Sequence, residues 1–532
     1  MNLRGAFYNS GKLLKFMLRR ERINSTLWLV ILILFSVALA SAMADMFDPA
    51  ARQALAETLQ NPAMIAMMGP VFGAENYTAG AMYSGSMFLW VAIAVAVMNI
   101  LLVVRHTRAD EEKGRAEVIR SLPVGRMATL HSAMILALIV NVILAVFTGF
   151  GIAVLGVESM GFSGSILYGA ALGVVGLFFA ALAALFSQLC ASSRGALGYS
   201  GATLGLFYFM RAAGDVGNET LSLISPLGLA QRAQIYVENH WWPIAILLAA
   251  SAIVAVVAYR LNALRDIDQG FIAARPGPRD GRLKTPFGFS YRLLRNSLIT
   301  WFIIMLLLGA SYGSLLGDIE TFVAESEFYQ RVIGANDQFT TAEMFVTMVN
   351  SMAALTCLVP ILMAALKLRT EEREGRSEHI LTRSVCRIKY LASFAVPAFV
   401  MSALFQLATA IGLYISAAAV LDEPVAFAFL ARANLVYLPA LWVTLGIAVF
   451  LIGALPRASG AVWAYFGFSF FTAFMGRMLN LPEWLGRLSP FGYIPQLPID
   501  EVRLGVLLTL VAVAAALTAL GFVFYKRRDV AF

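Results

Sequence analysis

Two charged segments hold most of the chemistry this sequence could perform. The first reads Arg108-Ala-Asp-Glu-Glu-Lys-Gly114-Arg115-Ala-Glu117-Val-Ile and ends at Arg126. The second begins 261 residues later, reads Arg369-Thr-Glu-Glu-Arg-Glu-Gly375-Arg376-Ser-Glu378-His-Ile and ends at Arg387. They align without a gap, pairing Arg108 with Arg369, Glu111 with Glu372, Gly114 with Gly375, Arg115 with Arg376, Glu117 with Glu378 and Arg126 with Arg387. Carboxylates and guanidiniums interleaved this densely form ion pairs and charge-assisted hydrogen bonds, which suits docking against another protein's surface. Each glycine permits a tight turn or a close backbone approach. Ordinary solvated charge is the plain alternative, and duplication at matched positions argues against it.

Other reactive groups are scattered. Cys190, Cys357 and Cys386 lie far apart with no CxxC spacing, so neither a disulfide framework nor a zinc site is expected. His106, His131, His240 and His379 form no HxxxH or HExxH pattern, and no metal site is expected from them. A membrane-embedded enzyme needs a carboxylate, His or Ser/Lys constellation. His131 and Asn141 instead stand alone on apolar helical patterns, and Asp48 and Glu75 have no partner that spacing identifies. The sequence contains no GxxxxGK[ST] loop: Gly11-Lys12 is followed by Leu, and the stretch from Gly277 to Lys284 lacks the Gly-Lys pair. No cleavable signal peptide is expected either, because the basic stretch from Arg4 to Arg22 leads into an apolar run too long for one.

The elements that must position the two motifs are membrane spans. Hydrophobic residues make up 60% of the chain and charged residues 14%, too little charge to cover a water-soluble surface of 532 residues. Mean hydropathy is +0.76. Apolar runs that approach the roughly 20 residues needed to cross a bilayer recur throughout, as at 27–44, 87–104, 166–189, 244–258, 344–366, 435–455 and 506–524, the shorter ones gaining length from flanking Gly, Ser or Thr. The net charge of +8 sits in short segments beside these runs, as the positive-inside bias requires, and not in a free basic domain of the nucleic-acid-binding kind.

Charge sign alternates from one connecting segment to the next. Arg4, Lys12, Lys15, Arg19, Arg20 and Arg22 place the first segment in the cytoplasm, and the acidic segment 45–84 lies outside. The segment 105–126 is inside again, and the alternation runs on to a cytoplasmic tail, Lys526-Arg527-Arg528. The expected fold is an all-α polytopic membrane protein of about twelve spans with both ends cytoplasmic. Two parallel six-helix repeats, 1–262 and 297–532, are joined by a cytoplasmic linker and interfacial helix at 263–296. Phe7, Leu14, Met17 and Leu18, spaced among Arg and Lys, predict an amphipathic interfacial stretch before the first span. Phe287, Phe289, Leu293, Leu294 and Leu298 predict another before the seventh.

Further echoes extend the repeat. Ser225-Pro226-Leu-Gly228 matches Ser489-Pro490-Phe-Gly492, and Arg194-Gly195-Ala196 stands where Ser459-Gly460-Ala461 stands later. Both motif copies follow a second span, so the halves share one orientation about an axis along the membrane normal. Such halves would enclose a central pathway.

At these residues the sequence resembles the permease subunits of type-2 ATP-binding-cassette (ABC) exporters. It is most similar to the long two-half permeases described as polyketide antibiotic exporters, the tetronasin-resistance group. The pattern Arg-x-Glu/Asp-Glu-x-x-Gly-Arg-x-Glu stands at 108–117 and 369–378, and Leu122-Pro123-Val124-Gly125-Arg126 continues the first copy. The second copy departs there, reading Arg383-Ser-Val-Cys386-Arg387, which leaves the equivalence of the two copies open. The resemblance implies a coupling helix that fits a groove in a separate ATPase subunit, present as a pair, which would bind ATP and Mg itself. The implied coupling residues are Glu111, Glu112, Gly114, Arg115, Glu117 and Arg126, with Glu371, Glu372, Gly375, Arg376, Glu378 and Arg387 in the second half. It further implies a bacterial plasma membrane and, together with composition, a hydrophobic or amphipathic substrate moved out of the cell.

Polar residues within the spans are few. Asn99, Gln188, Asn350 and Gln406 could line a pathway or bond neighbouring helices, the second being the commoner use. The 22 Met and 37 Phe suit an adaptable apolar route as well as ordinary packing. An ion-coupled transporter of the major facilitator kind also has two six-helix halves. It usually needs ionisable groups inside the spans, and here the apolar cores are nearly free of them. Trp241, Trp242, Trp484 and Tyr493 read as aromatic-belt residues, with an outer gate as the alternative.

Overall fold

In lipid a backbone N–H has no partner except its own helix, so long apolar runs fold as helices. The structure, a computed structural model, describes residues 3–46, 48–266, 269–272, 285–314, 316, 341–383, 385–421, 426–475, 482–497, 500 and 502–529. The acidic segment 318–340, Asp422, Glu423 and residues 273–284 of the linker lie outside the described residues. Two compact units divide the chain, Met1–Gly277 and Pro278–Phe532.

The first unit contains α1 (Ser10–Met46), α2 (Ala79–His106), α3 (Ala128–Val154), α4 (Phe162–Leu189), α5 (Ser193–Gly217) and α6 (Trp242–Leu264). The second contains α7 (Pro286–Ser314), α8 (Thr341–Arg373), α9 (Arg387–Val420), α10 (Leu438–Ala454), α11 (Ala461–Met475) and α12 (Leu504–Arg527). Among the described residues no strand is formed, and the one extended contact is an isolated bridge between Cys190 and Ile272.

Ten helices of the described residues are long and apolar enough to cross a membrane, against about twelve expected from the sequence. The two outside that number are the fifth helix of each unit. Helix α5 carries Gly195, Gly198, Gly201 and Gly205 together with Arg211 and Asp215, which lowers its hydropathy. Helix α11 is apolar, and its described residues number 15. The amphipathic stretches expected at the interface are continuous with the spans that follow them. Residues 10–22 form the first turns of α1, where Leu13 and Met17 are buried while Phe16 and Leu18 are exposed. Residues 287–298 likewise open α7.

Packing repeats between the units. Helix α1 packs on α3 as α7 packs on α9, and α6 packs on α4 as α12 packs on α10. Small residues permit these approaches, as membrane helices require. A Cβ on Gly453 of α10 would overlap the Gly521 carbonyl of α12, and one on Gly412 of α9 would overlap the Leu306 carbonyl of α7. The last helices are peripheral: only 22% of the apolar stretch of α6 and 11% of that of α12 is buried.

At the end of the first unit away from Arg108, four short helices form a cap: Pro49–Leu59, Pro62–Met68, Glu219–Ile224 and Pro226–Gln231. The fully buried Arg211 of α5 holds it together. Its guanidinium donates to the Ala66 carbonyl at 2.6 Å and pairs with Asp215 at 3.2 Å, while Asp215 accepts from Ser222 Oγ at 2.6 Å. Here the cation closes the carbonyl end of the helix Pro62–Met68. Charge alternation assigns this end to the outside, but it does not indicate that α5 buries an Arg–Asp pair.

Candidate functional site

Both charged segments lie where the second helix of a unit ends and the third begins. In the first copy Thr107 interrupts the helix, with φ −115° and ψ −92°, and Arg108–Glu112 forms one further turn. In the second copy α8 runs unbroken to Arg373. Each then turns at its glycine: Gly114 has φ +68° and Gly375 φ +70°. A Cβ at either position would meet nothing within 4 Å, so the left-handed backbone and not crowding calls for glycine. The Gly114 N–H closes the turn on the Glu111 carbonyl at 2.9 Å, and Gly375 does the same on Glu372 at 3.0 Å. Short helices follow at Arg115–Arg120 and Glu378–Leu381.

The acidic residues divide into an inward set and an outward set. Asp110 and Glu111 are buried, as are their counterparts Glu371 and Glu372. Glu111 accepts from Arg108 at 2.8 Å and from Arg265, the residue that ends α6, at 2.6 Å. Glu372 accepts from Arg369 at 3.0 Å and also pairs with Arg528, the residue that ends α12. A carboxylate this buried is tolerable only when paired and fully hydrogen-bonded.

The same bonds recur around these pairs. Arg115 reaches back to Asp110 at 3.2 Å and Arg376 to Glu371 at 2.6 Å, and the Glu371 carboxylate raises the Arg376 guanidinium above its ordinary pKa. Arg126 donates to the Arg265 carbonyl at 2.6 Å, and Arg387 to the Arg528 carbonyl at 2.7 Å. Arg108 donates to the Ala191 carbonyl at 2.6 Å, and Arg369 to the Pro456 carbonyl at 3.1 Å, so each motif also holds the loop after the fourth helix. Further ties differ between the copies. Asp110 pairs with Arg20 of α1, whereas Glu371 pairs with Lys367 at 3.0 Å within its own helix. Glu112 accepts from the Ser193 N–H at 2.9 Å and from its hydroxyl at the start of α5, where a carboxylate suits the helix dipole; Arg373 stands in its place in the second copy.

What remains faces outward, and it is the same face twice. Lys113 and Glu374, Arg115 and Arg376, Glu117 and Glu378, Val118 and His379, and Leu122 and Arg383 are exposed in both copies, while Ala116 and Ser377 between them are buried. Beside the second copy Cys386 is exposed at the head of α9. The Ile388 and Lys389 backbone amides hold its thiol below the usual range.

The polar residues within spans are mostly engaged with one another. Asn99 of α2 and Asn141 of α3 exchange side-chain hydrogen bonds at 3.0 and 2.7 Å, and Gly176 of α4 leaves room for the pair. Gln188 of α4 accepts from Asn262 of α6 at 3.0 Å, and Asn350 of α8 accepts from Asn434 at 3.0 Å. Gln406 of α9 is fully buried, and among the described residues neither of its amide atoms has a hydrogen-bond partner. Arg265 and Arg528, the partners of the motif glutamates, were not among the residues singled out by the sequence. Their only sequence signal is membership of the basic flank after the last apolar run of each half, Arg260 to Arg265 and Lys526 to Arg528.

Fold and site together define a multi-pass, all-helical membrane protein of two units, each carrying one copy of an ion-paired motif at its helix ends. Residues 12–261 and 283–526 match the family model described as "Multidrug efflux system permease Rv1217c, C-terminal domain". The chain is also 34% identical over 530 residues to the "Multidrug efflux system permease protein Rv1217c" of Mycobacterium tuberculosis, an alignment covering 97% of this chain and 94% of the relative. The chain belongs to this family of multidrug efflux system permeases, and its role is membrane transport rather than enzymatic catalysis.

Proposed function

We propose that the chain is the membrane-spanning subunit of an ATP-driven ABC exporter that moves hydrophobic or amphipathic small molecules out of a bacterial cell. Energy comes from a separate ATPase subunit, bound as a pair, which holds ATP and Mg. The motif ends of both units, and both chain termini, face the cytoplasm. One observation carries the reading: the two motifs present matching exposed positions on a frame of matching buried ion pairs, as one docking surface used twice would require. Arg115, Glu117, Arg376 and Glu378 belong to the contact face, and Glu112 beside it ties the first copy to the head of α5. Glu111, Arg126, Glu371, Glu372 and Arg387 brace it from within, and Gly114 and Gly375 set its turn.

For ATP to drive transport, the closed ATPase pair must favour one conformation of the permease over the other, since a ligand shifts an equilibrium only by its differential affinity. Two rigid docking faces meet that requirement better than loose charged loops would. Purification from native membranes in mild detergent tests the proposal. An ATPase should co-elute as a pair per chain, with drug-stimulated hydrolysis requiring both proteins. A chain that elutes alone and moves solute under an ion gradient would instead establish a secondary transporter.

A further inference from the structure

Resting on that exporter reading, we propose that each motif drives the last helix of its own unit directly, with Arg265 and Arg528 as the positioning residues that transmit the movement. Helix α6 packs chiefly on α4, and α12 on α10, leaving most of their apolar surface outside the unit. Their motif ends are nonetheless doubly fastened. The Arg265 side chain grips Glu111 and its carbonyl receives Arg126, while the Arg528 side chain grips Glu372 and its carbonyl receives Arg387. A motif displaced by its partner therefore takes the helix end along, because leaving it behind takes from a buried carboxylate one of its two guanidinium partners. One turn earlier the two ties diverge. Tyr525 donates its hydroxyl to Glu372 at 3.0 Å, reinforcing the motif, whereas Asn262 is directed to Gln188 on α4. At its motif end the twelfth helix accordingly directs both polar ties to the motif, whereas the sixth divides them between motif and α4.

Spin labels at the exposed positions Lys113 and Leu264, introduced as cysteines with Cys386→Ser, read the first tie directly. In the purified chain without any partner the separation should be narrowly distributed, Arg265→Gln should broaden or shift it, and Arg265→Lys should restore it in part. A separation indifferent to Arg265→Gln overturns the tie. In the complex, trapping ATP should leave the 113–264 separation of the parent unchanged, while Arg265→Gln lowers drug-stimulated hydrolysis and transport roughly tenfold with assembly intact. A parental separation that changes with nucleotide, or parental transport in Arg265→Gln, overturns the drive while leaving the exporter reading in place. Failure of any ATPase to join the chain removes the exporter reading and with it the drive, and the tie is then judged by the first measurement. If Arg265→Gln does not accumulate, Arg265→Lys is compared with the parent: equal transport and equal separation under nucleotide support the tie, and a widened separation with parental transport overturns it.

Discussion

Glu111 and Arg265 lie 154 residues apart in the chain and 2.6 Å apart in the fold, and Glu372 and Arg528 repeat the contact in the second unit. The pair joins the end of the second helix to the end of the sixth. It converts a dense run of charge into a structure with a fixed inner face and a free outer one.

Removing the inner carboxylate leaves Arg108 and Arg265 buried without their counter-charge. Glu111→Ala should destabilise the chain by about 3–5 kcal/mol, and Glu372→Ala similarly. Thermal unfolding in detergent checks this against Glu117→Ala, which removes an exposed carboxylate and should be near neutral. Equal effects at 111 and 117 would contradict the inward assignment.

The outer face should behave in the opposite way. Reversing charge with Glu117→Arg and Glu378→Arg together should abolish co-purification of the ATPase while leaving the melting temperature unchanged. Retained association would exclude this face as the docking surface. Charge reversal at Glu111 and Glu372 cannot make that distinction, because it disrupts the internal frame as well.

Gly114 and Gly375 sit at positive φ with open space around them, so the penalty of a side chain there is conformational. Ala at either position should cost about 1 kcal/mol, and Asn less, because Asn tolerates the left-handed region. Unfolding measurements on Gly114→Ala and Gly114→Asn check the order. An Ala variant as stable as the parent would show that the turn does not need this backbone.

Cys386 is exposed, whereas Cys190 and Cys357 are buried. Its lowered thiol pKa places the thiolate at lower pH than in a free cysteine. Alkylation should therefore rise with pH along a curve displaced to the acid side, and only one thiol per native chain should react. A membrane-impermeant reagent should label it from the cytoplasmic face alone, and a bound ATPase should slow the reaction. Labelling from outside would reverse the proposed orientation.

Asn99 and Asn141 satisfy each other between α2 and α3. Replacing one with Leu leaves the other amide with only its bond to a carbonyl of its own helix, Val95 or Ala137, at about 0.6–1.7 kcal/mol, and replacing both should cost less than the sum of the two. Strictly additive effects would argue that the two amides act independently, as pathway-lining groups would.

The sequence by itself determined the helical membrane fold and the doubled motif with its paired glycines, and the positive φ of those glycines settled a turn over a close approach. Each is a local property: a run of about 20 apolar residues must become a helix in lipid, and a left-handed turn selects glycine wherever it occurs. Tertiary structure decided which way each charge faces. Asp110, Glu111 and Glu112 are consecutive and chemically alike, yet two are buried and the third caps α5. That division depends on where α2 breaks at Thr107 and where α6 ends more than a hundred residues later. Arg528 likewise reads as part of a basic flank until α12 brings it beside Glu372. The choice between lining and bonding for Asn99 is also tertiary, because a buried amide takes its role from the helix that packs against it.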